Sequence, residues 1–277
     1  MINQQVISGL VLVSDGEFGC YPYLESLKSF LPIVDELVVL INRYPKKDGT
    51  IEKLQELQKQ NKKIRLVPVV FDIEKYHWAA YGIARGWGYQ ACKGDVVLMF
   101  DCDGVLHEKE EVLLRNNIGH FINEGWATGY WEKHRLYKPE LYYPQHKHSG
   151  IYSKKLLGDR LDFLRDDEKG APNFDRLAQK EQHSYKFSVT LFGYEHVWDT
   201  EEVLRYKVNR YGVMLDTIHR KSLRTSDEYF NEYMKELVVK VNKDGKHMPL
   251  EKHTKIMQEK VRNVTEEHFG FNFFDYK

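Results

Sequence analysis

Asp101-Cys102-Asp103 is the stretch whose residue types and spacing most directly suggest chemistry. It follows Val96-Val97-Leu98-Met99-Phe100, an apolar run without alternation that reads as one strand buried on both faces, as in a parallel sheet. In a strand, residues i and i+2 share a face, so both carboxylates can point the same way at its carboxyl end. Two like charges there repel unless something positive lies between them. A divalent cation carrying a diphosphate is one such group, since hard carboxylate oxygens suit Mg2+ or Mn2+. The plainer reading is an Asp-rich turn leaving a core strand, and the tripeptide alone does not choose between the two.

The elements that must position this pair follow a regular order. Ile7 to Val13 reads as a first strand, followed by a helix with Pro22 in its first turn and Leu24, Leu27 and Leu31 on one face. Asp35 to Ile41 is a second strand. Its polar exit runs from Asn42 to Asp48-Gly49-Thr50, a turn with Thr50 as N-cap of a helix carrying Ile51, Leu54 and Leu57. Ile64 to Phe71 is a third strand, where Pro68 predicts an edge position or an irregularity. His77 to Cys92 has helical spacing and leads into the strand before Asp101. Strands alternating with helices predict an α/β fold with a parallel sheet and right-handed crossovers. Ligands in such sheets bind at the carboxyl ends of the strands, so the exits at Asp15, Asn42, Asp72 and Asp101 should converge on one cleft. Beyond Glu108 the pattern predicts a helix with Val112, Leu113, Ile118, Phe121 and Ile122, then short strand-like pieces from Trp126 to Lys155 and a strand-like stretch from Tyr185 to Trp198. Helices capped by Thr200 and Ser226 follow.

Charge and composition exclude several classes. The 277 residues include 41 Lys plus Arg and 41 Asp plus Glu, so the chain as a whole is not built for a polyanionic partner. Cys20, Cys92 and Cys102 are too few and too scattered for a disulfide framework or a cysteine metal site. The Met-Ile-Asn-Gln-Gln start lacks a basic segment followed by an apolar one, and no uncharged run approaches a membrane span, so a soluble cytoplasmic protein is expected.

Taken in order, these pieces resemble the GT-A-fold glycosyltransferases, near the large inverting family 2, over residues 7 to 200. Leu10 to Glu17 is similar to that family's first strand and the loop cradling the nucleotide base, which implies Ser14, Asp15 and Glu17 as nucleotide-binding residues. Val34 to Leu40 resembles its second strand, and Asp48-Gly49-Thr50 the end of its Asp-Gly-Thr turn. Asn42 stands where the family has Asp, and its amide can still hydrogen-bond a base edge. Ala84-Arg85 and Ala91 to Asp95 resemble the helix and turn before the metal strand, implying an Arg85 contact to a phosphate or the base loop. Asp101-Cys102-Asp103 then takes the Asp-x-Asp position, with Asp103 on the metal and Asp101 on the metal, its water or the ribose. Phe187 to Trp198 resembles the late strand that delivers a metal-binding histidine, here His196. Asp166-Asp167-Glu168 resembles the acidic motif that supplies the catalytic base, Asp167 foremost, although the usual motif is Glu-Asp.

The resemblance implies a GT-A (Rossmann-like), mostly parallel sheet flanked by helices over residues 1–200, with a helical C-terminal extension over 201–277. It also implies transfer of a sugar from a nucleotide-diphosphate sugar to an acceptor hydroxyl, with Mn2+ or Mg2+ as Lewis acid and inversion at the anomeric carbon. Between 126 and 155, six bases face two acids and many aromatics, so an anionic acceptor such as a glycan or modified nucleic acid competes with a plain solvated basic face. A sugar nucleotidyltransferase is a weaker alternative, because Ser14 to Gly19 lacks the basic residue such a loop carries. A silent nucleotide-sugar-binding module is the non-enzymatic one.

Overall fold

The computed structural model describes residues 5–43, 47–76, 79–158, 184–218 and 221–268. Its first part alternates strands and helices: β1 (Ile7–Val13), α1 (Tyr23–Phe30), β2 (Glu36–Asn42), α2 (Thr50–Gln60), β3 (Ile64–Val69), the short α3 (Ile73–Tyr76), α4 (Ala79–Ala91) and β4 (Val96–Asp101). These strands pair in parallel in the order β3-β2-β1-β4, as the alternation predicts, and Pro68 lies on the outermost of them, β3. Their carboxyl ends are level. Leu12 pairs with Asp101, Val13 with Ile41, and Asn42 with Val69.

Successive side chains point to opposite faces of this sheet, and each face has its own core. Leu37, Val39, Leu98 and Phe100 pack with Leu27 and Phe30 of α1 and Leu54 of α2. Val38, Leu40, Val97 and Met99 pack on the other face with Ala80, Ala84 and Tyr89 of α4. Gly88 lets α4 approach that face closely, because a Cβ there would lie 2.5 Å from Leu10 and 2.8 Å from Leu40. The strands carry unalternated apolar runs because they are covered on both sides.

The second part of the sheet is mixed. After β5 (Gly104–Leu106) and α5 (Glu111–Asn123), β6 (Thr128–Lys138) and β7 (Leu141–Ser153) form a long antiparallel hairpin where the sequence suggests short pieces. The hairpin contains register shifts, which blur the alternation that would mark two long strands in the sequence. β7 pairs antiparallel with β4, and β8 (Tyr185–Gly193) runs parallel to β6, so the order continues β4-β7-β6-β8-β5. Three consecutive steps in that order carry β4 to β8, and the loops after both strands reach the same place.

The remaining described residues are mainly helical: α6 (Lys154–Leu157), α7 (Glu201–Ile218), α8 (Ser226–Asp244) and α9 (Lys255–Arg262), with the two-residue β9 (Lys246–His247) on β7. The cap of α8 is Thr225, one residue before the expected Ser226, and it forms a reciprocal capping box with Glu228. Helix α7 packs over the strand exits, with Tyr206 edge-on to Phe18 at 5.1 Å and Met214 buried in the same apolar cluster as Phe71. No helix among the described residues is long and apolar enough to cross a membrane.

Phe100 and Phe30 stack with ring centroids 3.7 Å apart, both buried, directly beneath the strand end that carries Asp101. Phe100→Ala should lower the unfolding free energy by about 3–5 kcal/mol in urea denaturation, through lost burial and the cavity left behind.

Candidate active site

Among the described residues, the strand order brings three acidic side chains and three basic ones to the carboxyl end of β4. Asp101 ends β4, and Asp103 lies two residues on in the turn to β5. Lys133 and Arg135 share one face of β6, being two residues apart. Glu195 lies in the turn after β8, and Arg85 projects from α4. Lys133 Nζ sits between the carboxylates: 3.2 Å from each oxygen of Asp103, 3.4 Å from Asp101 and 3.4 Å from Glu195. Arg85 donates to the other oxygen of Asp101 at 2.9 Å, and Arg135 pairs with Glu195.

The cluster is graded in depth. The side chains of Lys133 and Asp103 are 3 % and 6 % exposed, whereas those of Asp101 and Arg85 are 35 % and 26 % exposed. Burial alone would lower the Lys133 pKa, but Asp103, Asp101 and Glu195 around it hold the ammonium well above the usual lysine range. Burial alone would raise the Glu195 carboxyl, but Arg135, Lys133 and His196 hold it down at about 2. Burial pushes the Asp103 carboxyl up, with Lys133 opposing. Removing Lys133 would leave the buried Asp103 carboxylate without its counter-charge.

The expected trio of Asp101, Asp103 and His196 is not assembled. Among the described residues, no group of three or more His, Cys, Asp or Glu side chains could hold a metal ion. Glu195 and His196 are neighbours in one turn, yet their side chains serve different networks. The His196 Nδ1 lies 2.9 Å from Asp199 Oδ2, and the fully buried Asp199 in turn accepts from Lys207 of α7 at 2.7 Å. Nor does a divalent ion fit the Asp101–Asp103 pair as it stands, because Lys133 Nζ fills the position between the carboxylates.

The expected nucleotide-binding residues line the neighbouring exits, and several are engaged in shaping them. Asp15 takes a left-handed backbone conformation, φ 52°, that Asp tolerates better than most residues, and its side chain accepts from Ser14 Oγ at 3.1 Å. Asp48 reaches across from the β2 exit and accepts from Phe18 N at 2.9 Å and from Thr50 N and Oγ1 at 3.1 and 2.9 Å. Burial raises its carboxyl, but those donors outweigh it and leave the pKa low. Thr50 accepts from Glu17 N, and Glu17 accepts from Tyr23 and Lys53. Helix α2 starts from Gly49, whose φ of 87° favours glycine, so Thr50 ties the two loops together instead of capping the helix. The Asn42 amide donates to Phe71 O at 3.1 Å and accepts from Phe71 N, fixing the β3 exit. Asp166, Asp167 and Glu168 lie outside the described residues.

Lys133, Arg135, Glu195, Asp199 and Lys207 are the site residues that the sequence did not single out. Of the six bases between 126 and 155, Lys133 and Arg135 are committed to carboxylates, and Lys154 donates to the carbonyls of Tyr89 and Gln90. A shallow cavity of about 330 Å³, lined by Tyr143, Pro144, Lys243, Asp244, Gly245 and Lys246, shares no residue with the carboxylate cluster.

No protein-family model and no curated protein sequence matches the chain. Solved structures with a similar course of chain include S. aureus TarS residues 1–349, 14 % identical over 82 % of this chain and 68 % of that one, with a TM-score of 0.46. A mannosyltransferase from Pyrobaculum calidifontis in complex with GDP-Man and Mn2+ is 12 % identical over 94 % and 69 %, with a TM-score of 0.48. GalNAc-T7 with UDP, GalNAc and Mn2+ is 12 % identical over 88 % of this chain and 58 % of its own, also at 0.48. At these values the likenesses assign neither substrate nor metal to this chain.

Two substitutions test the geometry of the site. A Cβ on Gly193 would lie 2.2 Å from Lys133 Cε, so Gly193→Ala should displace the ammonium and destabilise the fold by about 1–3 kcal/mol in urea denaturation. Asp48→Ala should cost about 1–3 kcal/mol in the same measurement, by leaving the donors of Phe18 and Thr50 without their acceptor.

Proposed function

We propose that this chain is a GT-A-type glycosyltransferase that moves a sugar from a nucleotide-diphosphate sugar to an acceptor hydroxyl, with inversion. One observation carries the reading. The Asp101-x-Asp103 pair stands at the carboxyl end of β4, level with the β1 and β2 exits, in an oppositely charged setting that includes Arg85. Nucleotides bind at this edge of open parallel sheets.

In this reading the nucleoside lies against the loops of Ser14 to Glu17 and Asn42, whose shape the Asp48–Thr50 tie maintains. The donor diphosphate meets Arg85, whose guanidinium has N–H donors beyond the one it gives to Asp101. Asp101, the more exposed carboxylate of the pair, faces the ribose. In the transfer the acceptor oxygen forms the new bond to the anomeric carbon. The bond from that carbon to the phosphate oxygen breaks, and its electron pair leaves with the nucleoside diphosphate. The hydroxyl proton goes to a carboxylate acting as general base. Asp167, Asp166 and Glu168 are the residues we assign to that role, on the resemblance of their motif. The acceptor is a glycan hydroxyl in the simplest form of this reading. A polyanionic acceptor has less support, because Lys133, Arg135 and Lys154 are paired within the fold.

A thermal-shift and hydrolysis panel of nucleotide-diphosphate sugars tests the proposal. At least one member should raise Tm by mass action and be hydrolysed slowly to the nucleoside diphosphate. Arg85→Gln should weaken binding of that donor about tenfold, the worth of one charge-assisted hydrogen bond. No Tm shift and no hydrolysis across the panel would overturn the reading, and pyrophosphate release from a nucleoside triphosphate would replace it with nucleotidyl transfer.

A further inference from the structure

We propose that Lys133 takes the place of the divalent cation at the Asp101–Asp103 pair, so that donor binding and sugar transfer proceed without a metal. The inference rests on the glycosyltransferase reading above and specifies the electrostatics of that same site.

The lysine that is present makes the case. An ammonium and a divalent ion solve the same problem at a strand end, which is to supply positive charge between two carboxylates. Lys133 Nζ lies 3.2 Å from both oxygens of Asp103 and 3.4 Å from Asp101, the position from which a cation would bridge the pair. Its third partner, Glu195, is 3.4 Å away, so its three N–H donors have three carboxylates to meet. Among the described residues, Arg85 and Arg135 bring the cations paired with these carboxylates to three, against Asp101, Asp103 and Glu195. A neutral cluster has little attraction for a further double charge, and a metal could enter only by expelling a buried ammonium.

The surroundings are shaped for the lysine. Gly193, on the neighbouring strand β8, leaves room for its side chain where any Cβ would collide with Cε. The pairing of Lys133 with Leu191 and of Arg135 with Gly193 fixes where β6 stands relative to that glycine. His196, expected as a metal ligand, instead bonds through Nδ1 to Asp199, which also accepts from Lys207. Arg85, at the exposed end of the cluster, is then the cation that meets the leaving diphosphate. The bonds made and broken in the transfer are those given above; the negative charge gathering on the nucleoside diphosphate is balanced by side chains.

Two measurements on the full chain test this. In the first, wild-type protein and Lys133→Met are titrated into MnCl2, and free Mn2+ is followed by electron paramagnetic resonance. Wild type should leave the free-ion signal undiminished, whereas Lys133→Met, with its carboxylates uncovered, should deplete it. Stoichiometric Mn2+ uptake by wild type that is lost in Asp103→Asn would overturn the proposal, and this arm needs no lysine variant to fold. In the second, hydrolysis of the nucleotide-diphosphate sugar panel is compared in EDTA and in MnCl2. Rates should agree within about twofold, whereas a metal acting as Lewis acid would make EDTA cost at least about 100-fold. Hydrolysis only with Mn2+ would refute metal independence while leaving the glycosyltransferase reading intact. No hydrolysis in either condition, together with no Tm shift across the panel, would refute the glycosyltransferase reading itself, and metal-independent transfer with it.

Discussion

The site depends on a single electrostatic requirement. Asp101 and Asp103 stand at the end of a buried strand, where two negative charges must be met by positive charge or they will not stay ionised. The Lys133 ammonium meets both. Because Asp103 is almost fully enclosed, this interaction acts in a medium of low effective dielectric and is far stronger than a surface ion pair. It also requires good geometry, since the desolvation of each charge must be offset by the contacts it makes.

Much of the fold can be understood as the means of delivering that lysine. The first four strands, in the order β3-β2-β1-β4, form a parallel sheet that ends at Asp101. The long β6–β7 hairpin extends it, placing Lys133 and Arg135 beside the strand end, and β8 brings Glu195 in behind them. Helix α7 then closes over the exits, its Lys207 lying 3.9 Å over the Tyr21 ring and bonded to Asp199. The loop network of Glu17, Asp48, Thr50 and Lys53 fixes the opposite side. Glu17, Asp48 and Thr50 are thus engaged with one another, as are Asp199 and Lys207.

How much of this was legible in the sequence follows from what kind of signal each feature leaves. The parallel half was readable because strands covered on both faces leave unbroken apolar runs, and Val96 to Phe100 followed by Asp101 is such a run. The carboxylate pair was readable because both acids follow directly on that run, although β4 ends at Asp101 and Asp103 falls in the turn to β5 and not on the strand face. Lys133 was not, because its partners lie 30 and more residues away, and a local count of charges registers sign without distance. It therefore merged into a basic stretch that looked solvated. Glu195 was overshadowed by His196 next to it, although the turn after β8 sends the two side chains to different partners. The long hairpin was hidden by its register shifts, and the Thr225 cap by the equally suitable Ser226 beside it.

The occupant of the space between Asp101 and Asp103 can be observed directly. A crystal of the chain grown with a nucleotide-diphosphate sugar, soaked in MnCl2 and measured at the manganese absorption edge would show it. The structure described above predicts Lys133 Nζ between the two carboxylates, with no anomalous peak there. A manganese peak bridging Asp101 and Asp103, with the Lys133 side chain turned away, would contradict it.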